Sequence, residues 1–359
     1  MPARRRLSIS PRGYRRITLA SLILLSFIIV TGASVRLSGS GLGCSDWPTC
    51  EEGSLVAELD NVHAMVEFVN RVITGFVSLA VIAAVLGSMW RTPRRRDLTW
   101  WSWGLVAGVI AQILLGALVV QERLPPTLVM GHFLLSMVLV WNAMVLHHRA
   151  GLPDDEVVVP RELPSITRHV RVLSLLASVV LVSGTFVTGS GPHSGSESEQ
   201  TKAALEAKGY DISLLTPEEL EIERLPFDVP DVARVHGLSV MIFLAATIWF
   251  AVRLKRERAP QDVFDAAQAL IVIIVAQAGV GYVQYFTGVP ELLVGVHILG
   301  ATLVWIAAVR LHMGVRLPLP VSPRPDSSDP DERIEAADDT SSNGDADPDD
   351  RPSDLVTSG

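Results

Sequence analysis

Cysteine is nearly absent from this chain of 359 residues, with only Cys44 and Cys50 present. No CxxCH occurs, which excludes covalent attachment of a c-type heme. Charge is scarce in eight long stretches, roughly 17–37, 63–89, 99–121, 126–148, 169–190, 232–254, 263–287 and 290–312. A basic excess is missing as well. The formal charge is −8, and residues 318–359 alone hold twelve Asp plus Glu against three Arg, a sum of −9 that leaves about +1 for the rest. That balance gives no reason to expect a nucleic-acid partner.

What is present in quantity is apolar: 49% hydrophobic residues and a mean hydropathy of +0.36, gathered in blocks. This is too apolar for a soluble two-domain protein, and blocks of about 20 apolar residues are long enough to cross a bilayer. The expected fold is an all-α integral membrane protein with eight transmembrane helices. Short loops rich in Arg and Lys stay on the cytoplasmic side. Arg4, Arg5, Arg6, Arg12, Arg15 and Arg16 precede the first span, and Arg91, Arg94, Arg95 and Arg96 follow the second. Arg149, Arg161, Arg168 and Arg171 separate the fourth from the fifth, and Arg253, Lys255, Arg256 and Arg258 the sixth from the seventh. Both termini are therefore assigned to the cytoplasm of a multi-pass cell-membrane protein. A cleaved signal peptide would also begin with basic residues and an apolar core, but its removal would break the eight-helix symmetry.

The segments divide as a basic cytoplasmic N-terminus (1–16), a first four-helix half (17–148) and a cytoplasmic linker (149–168). A second four-helix half (169–312) with an outer loop (191–231) follows, and then an acidic tail (313–359). The tail, rich in Asp, Ser and Pro, has little to bury and reads as disordered and solubilising. Within the loop, TPEEL at 216–220 carries a helix-start pattern, so a helical lid is an expectation there. Cys44 and Cys50 fall in GLGCSDWPTC, outside the membrane, where disulfides persist. A structural disulfide and a reversible thiol pair near an outer-face site are both compatible with that position.

The two halves repeat. AQILLGALVV precedes VMGHFLLSMVLVW as AQAGVGYVQY precedes LVGVHILGATLVW, so that Gln112 and Gln277, and His132 and His297, share an offset of 165 residues. VTGASVRLSGSG of the first span matches VSGTFVTGSG of the fifth, and VEFVNRVITGFVSLAV of the second matches VARVHGLSVMIFLAAT of the sixth. Four spans per half is an even number, so these are parallel repeats, two four-helix bundles related by an axis along the membrane normal. Close helix packing accounts for Gly32, Gly116, Gly184 and Gly281. It does not account for Glu67, Arg71, His132, Arg234, His236 and His297, because ionisable groups in apolar spans are costly and suggest function.

His236 and His297 sit at similar depth, roughly 6 to 10 Å from the outer ends of their spans at 1.5 Å per residue. Two imidazoles at one depth suit the two axial positions of a b-type heme iron. In the first half His132 matches His297, but Asn70 stands opposite His236, leaving one strong ligand and one open position. Glu67 lies three residues before Asn70 on the same helix face, and its counterpart is Ala233. A carboxylate beside an open position can act as a base or stabilise developing positive charge. Arg36, Arg71 and Arg234 are suited to bidentate carboxylate recognition, while Arg36 and Arg234 equally suit snorkelling at a helix end. His63, His147, His148, His169, His193 and His312 are expected to be solvated or interfacial.

Taken together, RLSGSGLGCSDWPTC, the ExxNR of the second span, the His132 span and the His236–His297 pair resemble the heme A synthase family over about residues 17–312. ExxNR stands where that family commonly has ExxHR. The resemblance implies oxidation of the C8 methyl of heme O to a formyl group in two monooxygenations, giving heme A for terminal oxidase assembly. It implies that His236 and His297 ligate the iron of a heme b cofactor and that His132 holds the substrate iron beside Asn70 and Arg71. It also implies that Glu67 is the catalytic carboxylate, with Cys44 and Cys50 matching an outer-loop pair. Expected partners are heme O, the lipid bilayer, a heme O synthase (farnesyltransferase), an electron acceptor of unidentified kind and a further copy of the chain. A duplicated b-type cytochrome that only transfers electrons would carry four ligands of one kind, whereas this chain offers three and a carboxylate. A parallel-repeat transporter would show broken helices with polar sites in mid-membrane, whereas here the polar residues gather toward one face.

Overall fold

The computed structural model describes residues 8–44, 49–50, 56–57, 60–154, 157–160, 164–194, 206, 213, 224–315 and 318–321. Eight of its helices are long and apolar enough to cross a membrane. They are α1 (Pro11–Leu37), α2 (Val62–Trp90), α3 (Arg96–Gln121), α4 (Pro126–Ala150), α5 (Pro164–Ser190), α6 (Val229–Arg256), α7 (Gln261–Phe286) and α8 (Glu291–Gly314). Each runs past the apolar block that announced it. α1 begins six residues early because Ser10 caps it, its hydroxyl accepting from the Gly13 amide at 3.1 Å with Pro11 at the first turn. Arg12, Arg15 and Arg16, assigned above to a cytoplasmic segment, are therefore helical. Asn61 caps α2 in the same way.

All eight helices fall in one compact unit, and within it the two groups of four pack in the same order. α1 lies on α2 and α4, and α3 joins α2 and α4; likewise α5 lies on α6 and α8, and α7 joins α6 and α8. Between the groups, α8 touches α1 and α4, and α4 touches α5. Trp305 of α8 donates its indole N–H to the Met137 carbonyl of α4 at 2.8 Å. The duplication also reaches the backbone of the short turns. Leu124 (φ 59°) and Val289 (φ 61°), 165 residues apart, are both left-handed, and their amides close matching bonds to Val119 O at 2.8 Å and Gln284 O at 2.9 Å. A β-branched valine in that region is strained, so the turn geometry overrides local preference at both copies.

Outward faces are apolar, with Ile23, Phe27, Phe76, Leu79, Leu175 and Leu238 exposed. In water such a surface would be untenable over this area, and a bilayer suits it. Each half has its own core, one around Tyr14, Leu98, Leu105, Val140 and Leu146, the other around Ile166, Phe243, Phe250, Leu254 and Leu270. These cores lie toward the arginine-rich end of the helices. At the opposite end, which carries Cys44 and Cys50, packing is looser: the buried residues of α6 start only at Phe243 and those of α7 stop at Ile274.

The arginine-rich end is tied by charge. Arg91 is 2% exposed, donates to both carboxylate oxygens of Asp154 at 2.8 and 2.6 Å, and reaches the Pro93 carbonyl. Asp97 bridges Arg95 at 2.8 Å and Arg149 at 3.2 Å. Arg91, counted above among the arginines that follow the second span, sits as a buried clamp. A second, small unit of residues 155–159 and 319–359 contains most of a two-stranded sheet, β1 (Val157–Pro160) with β2 (Pro318–Val321). Part of the segment read as disordered tail is thus a strand. Residues 322–359, the expected lid helix at 216–220 and most of the loop 191–231 lie outside the described residues.

Candidate functional site

The histidine-bearing turns come together at the loosely packed end. His236 of α6 and His297 of α8 face each other with ring centres 6.4 Å apart and planes inclined by 70°. A metal about 2 Å from each donor nitrogen would hold two facing imidazoles roughly 6 Å apart, centre to centre. The two rings therefore already stand at a spacing that one metal would bridge. Ser183 of α5 engages His236 Nδ1 at 3.1 Å, which leaves Nε2 for a ligand role. Among the described residues His297 Nδ1 is buried with no hydrogen-bond partner, so no hydrogen bond there holds this ring away from a ligand.

Both rings rest on glycine. A Cβ at Gly184 would lie 3.2 Å from His236 Cε1, and one at Gly281 would lie 2.9 Å from His297 Cε1. The same holds in the first half, where a Cβ at Gly116 would lie 3.3 Å from His132 Cε1. Three of the four glycines first read as helix-packing residues thus make room for imidazoles. The helix turn under each of these two histidines is held from the neighbouring helix: Gln112 donates to the His132 carbonyl at 3.0 Å and Gln277 to the His297 carbonyl at 2.7 Å. His132 also buries an Nδ1 without a partner.

Opposite His132 the pattern changes as the sequence indicates. Asn70 accepts a hydrogen bond from Thr31 at 2.9 Å, in the place where Ser183 meets His236. Thr31 and Ser183 were missed in the sequence reading, although the aligned VTG and VSG at 30–32 and 182–184 hold the signal.

Glu67 is not a free carboxylate. It is 5% exposed, accepts from Arg71 at 2.5 Å through one oxygen and from the Cys44 amide at 2.9 Å through the other. Arg71 also donates to the Thr49 carbonyl at 2.6 Å. A disulfide joins Cys44 to Cys50, so that Glu67 and Arg71 both hold the disulfide loop from its two sides. Arg71 was read as a carboxylate-recognising residue for the ligand; its carboxylate partner in the structure is Glu67. Arg234 forms an exposed ion pair with Asp231 at 2.7 Å, a surface role, and Arg36 lies half-buried in the last turn of α1. Several histidines expected at solvent or interface have specific partners: His147 with Thr18 at 3.0 Å, His312 with Ser174 at 2.8 Å, His63 with Ser40 at 3.0 Å and His193 with the Val289 carbonyl at 2.9 Å.

This is a multi-pass membrane protein of duplicated design, with an imidazole pair in one half and an imidazole, an amide and a held carboxylate in the other. The chain belongs to the family described as Cytochrome oxidase assembly protein, whose pattern matches residues 15–309. Similar proteins include a Heme A synthase of an Exiguobacterium species, 27% identical over 169 residues (46% of this chain and 55% of that protein). Another is a Heme A synthase of Lysinibacillus sphaericus, 27% identical over 174 residues (47% and 55%). The matched stretch thus spans about half the length of these relatives. A Protoheme IX farnesyltransferase of Thermus thermophilus is 36% identical over a shorter stretch of 75 residues, 20% of this chain and 12% of that protein.

Proposed function

We propose that this chain is a heme A synthase, oxidising the C8 methyl of heme O to a formyl group in the outer half of the membrane. The observation that supports the reading is the unequal pair of halves: His236 faces His297 at 6.4 Å in one, while the other carries His132, Asn70 and a buried Glu67 held by Arg71 and the Cys44 amide. A heme b between His236 and His297 would supply one-electron redox chemistry. The N-terminal half, 17–148, would receive heme O with His132 toward its iron, and the C-terminal half, 169–312, would hold the cofactor. Both termini and the arginine-rich end face the cytoplasm in this reading, which places both sites at the outer face.

Within the site Glu67 works as a fixed negative charge. Removing electrons from a methyl on a porphyrin edge builds positive charge there, and a preoriented buried carboxylate stabilises it without reorganising. Arg71 and the Cys44 amide fix Glu67 in direction by donating to its two oxygens. Delivery of heme O by a farnesyltransferase belongs to this reading. Glu67→Gln tests the role: hemes stay bound while heme A formation falls by at least about a hundredfold, roughly 3 kcal/mol in the barrier. Wild-type heme A yield from that variant, measured by pigment extraction, would remove Glu67 from the chemistry.

A further inference from the structure

The two halves can be superimposed in sequence so that Thr31 meets Ser183, Gly32 meets Gly184 and Asn70 meets His236. In the second half the three residues are filled against one another. His236 stacks on Gly184, where an added Cβ would meet Cε1 at 3.2 Å and Nδ1 at 3.5 Å, and Ser183 holds its Nδ1. In the first half the hydroxyl is kept but the ring is not. Thr31 hydrogen-bonds Asn70 Oδ1 at 2.9 Å, and among the described residues a Cβ added at Gly32 would meet no atom within 4 Å. The shorter amide side chain therefore leaves open space above Gly32 where its counterpart carries an imidazole. With Oδ1 taken by Thr31, the part of Asn70 left to offer is its NH2 group, a pair of donors.

Asn70 is a poor iron ligand beside imidazole, yet the surroundings that serve a ligand in the other half are retained. Gln112 still braces His132 as Gln277 braces His297. Thr31 still presents a hydroxyl where a ring nitrogen would need one. Loss of the histidine together with its shell would point to a decayed site, whereas loss of the ring alone points to a site opened for something else.

We propose that Thr31, Gly32 and Asn70 form a pocket for a small exogenous ligand of the iron held by His132, a neutral or anionic donor no larger than imidazole, hydrogen-bonded by the Asn70 amide or the Thr31 hydroxyl. This rests on the functional reading above only in taking a heme to bind at His132. It makes the first half open to ligands that the second half refuses.

The probe is imidazole, which restores the missing ring. The full-length chain, purified in detergent and loaded with heme B, is titrated with imidazole and followed by absorption and electron paramagnetic resonance. The portion of heme lost in His132→Ala is expected to pass from high to low spin. It should do so at an imidazole concentration at least tenfold below any that perturbs the His236–His297 portion. Asn70→His should make that portion low-spin without imidazole and indifferent to it. Gly32→Leu, which fills the space and leaves every hydrogen-bonding group in place, should keep the heme and weaken imidazole binding at least tenfold. The proposal is overturned if the His132-dependent heme is low-spin from the start, if it ignores imidazole, if Gly32→Leu binds imidazole as the wild type does, or if no His132-dependent heme is found. Because the loaded heme is not the substrate, ligand binding without any heme A formation from heme O would count against the proposed enzyme and not against the pocket.

Discussion

At the scale of single residues, what decides the site is how little room surrounds each imidazole. Gly281 and Gly184 let the rings of His297 and His236 approach their neighbouring helices closely, and these positions ask for glycine because of contact, not backbone freedom. Gly281→Ala places a methyl 2.9 Å from His297 Cε1, nearer than side chains pack, so the ring must turn or the helices part. Retention of the low-spin heme is expected to weaken about tenfold, near 1.4 kcal/mol, as read from the heme remaining after repeated washing. Gly32→Ala meets nothing within 4 Å and should leave heme content unchanged. Equal losses in the two variants would show that the glycines matter for helix packing alone. The histidines, Asn70 and Glu67 were legible in the sequence because polar groups in apolar spans stand out and the repeat supplies a ruler. Their partners were not. Thr31 lies 39 residues from Asn70 and Ser183 lies 53 from His236, and no local pattern couples such positions. The pairing of Arg71 with Glu67, one helix turn away, went unread beside the expectation that Arg71 recognises a carboxylate.

At the scale of elements, hydropathy located all eight spans but placed their arginine-rich ends one to six residues short. Helix ends at a membrane surface are built from caps and arginines, which an apolar window discards: Ser10 and Pro11 start α1 ahead of Arg12, Arg15 and Arg16. The turn between α2 and α3 shows the converse. Its arginines, taken as topology signals, say nothing of contacts, and Arg91 is buried against Asp154 and Pro93 and joins that turn to the segment after α4. Removing one member of a buried pair leaves the other charge without a partner in a medium that solvates it poorly. Asp154→Ala is therefore expected to lower stability by about 3 kcal/mol, visible as an earlier thermal midpoint in detergent, with Arg91→Met in the same chain recovering part of the loss. An unchanged midpoint for Asp154→Ala would mean that Arg91 is reached by water or by lipid headgroups and gains little from the carboxylate.

At the scale of the whole molecule, duplication supplies two equivalent frames and the differences between them divide the labour. The helices pack in one order in both halves, the turns before α4 and α8 share a left-handed residue, and a glutamine braces the ligand turn in each. Against that common frame, the second half offers two facing imidazoles, and the first offers one imidazole, an amide and a carboxylate tied to a disulfide loop. On the proposed reading, a frame with two ligands would hold its heme from both sides, so that losing either ligand forfeits the low-spin state, and a frame with one ligand would release its heme when that ligand goes. His236→Ala and His297→Ala are each expected to abolish the low-spin b-type spectrum while leaving a His132-dependent heme in place. His132→Ala should leave the low-spin spectrum intact and roughly halve the heme taken up on loading. Absorption and paramagnetic resonance spectra of the three variants, with heme counted per chain, measure both effects. If His132→Ala removed the low-spin signal, or if His297→Ala spared it, the two halves would share one heme, and the assignment of cofactor to one bundle and substrate to the other would fail.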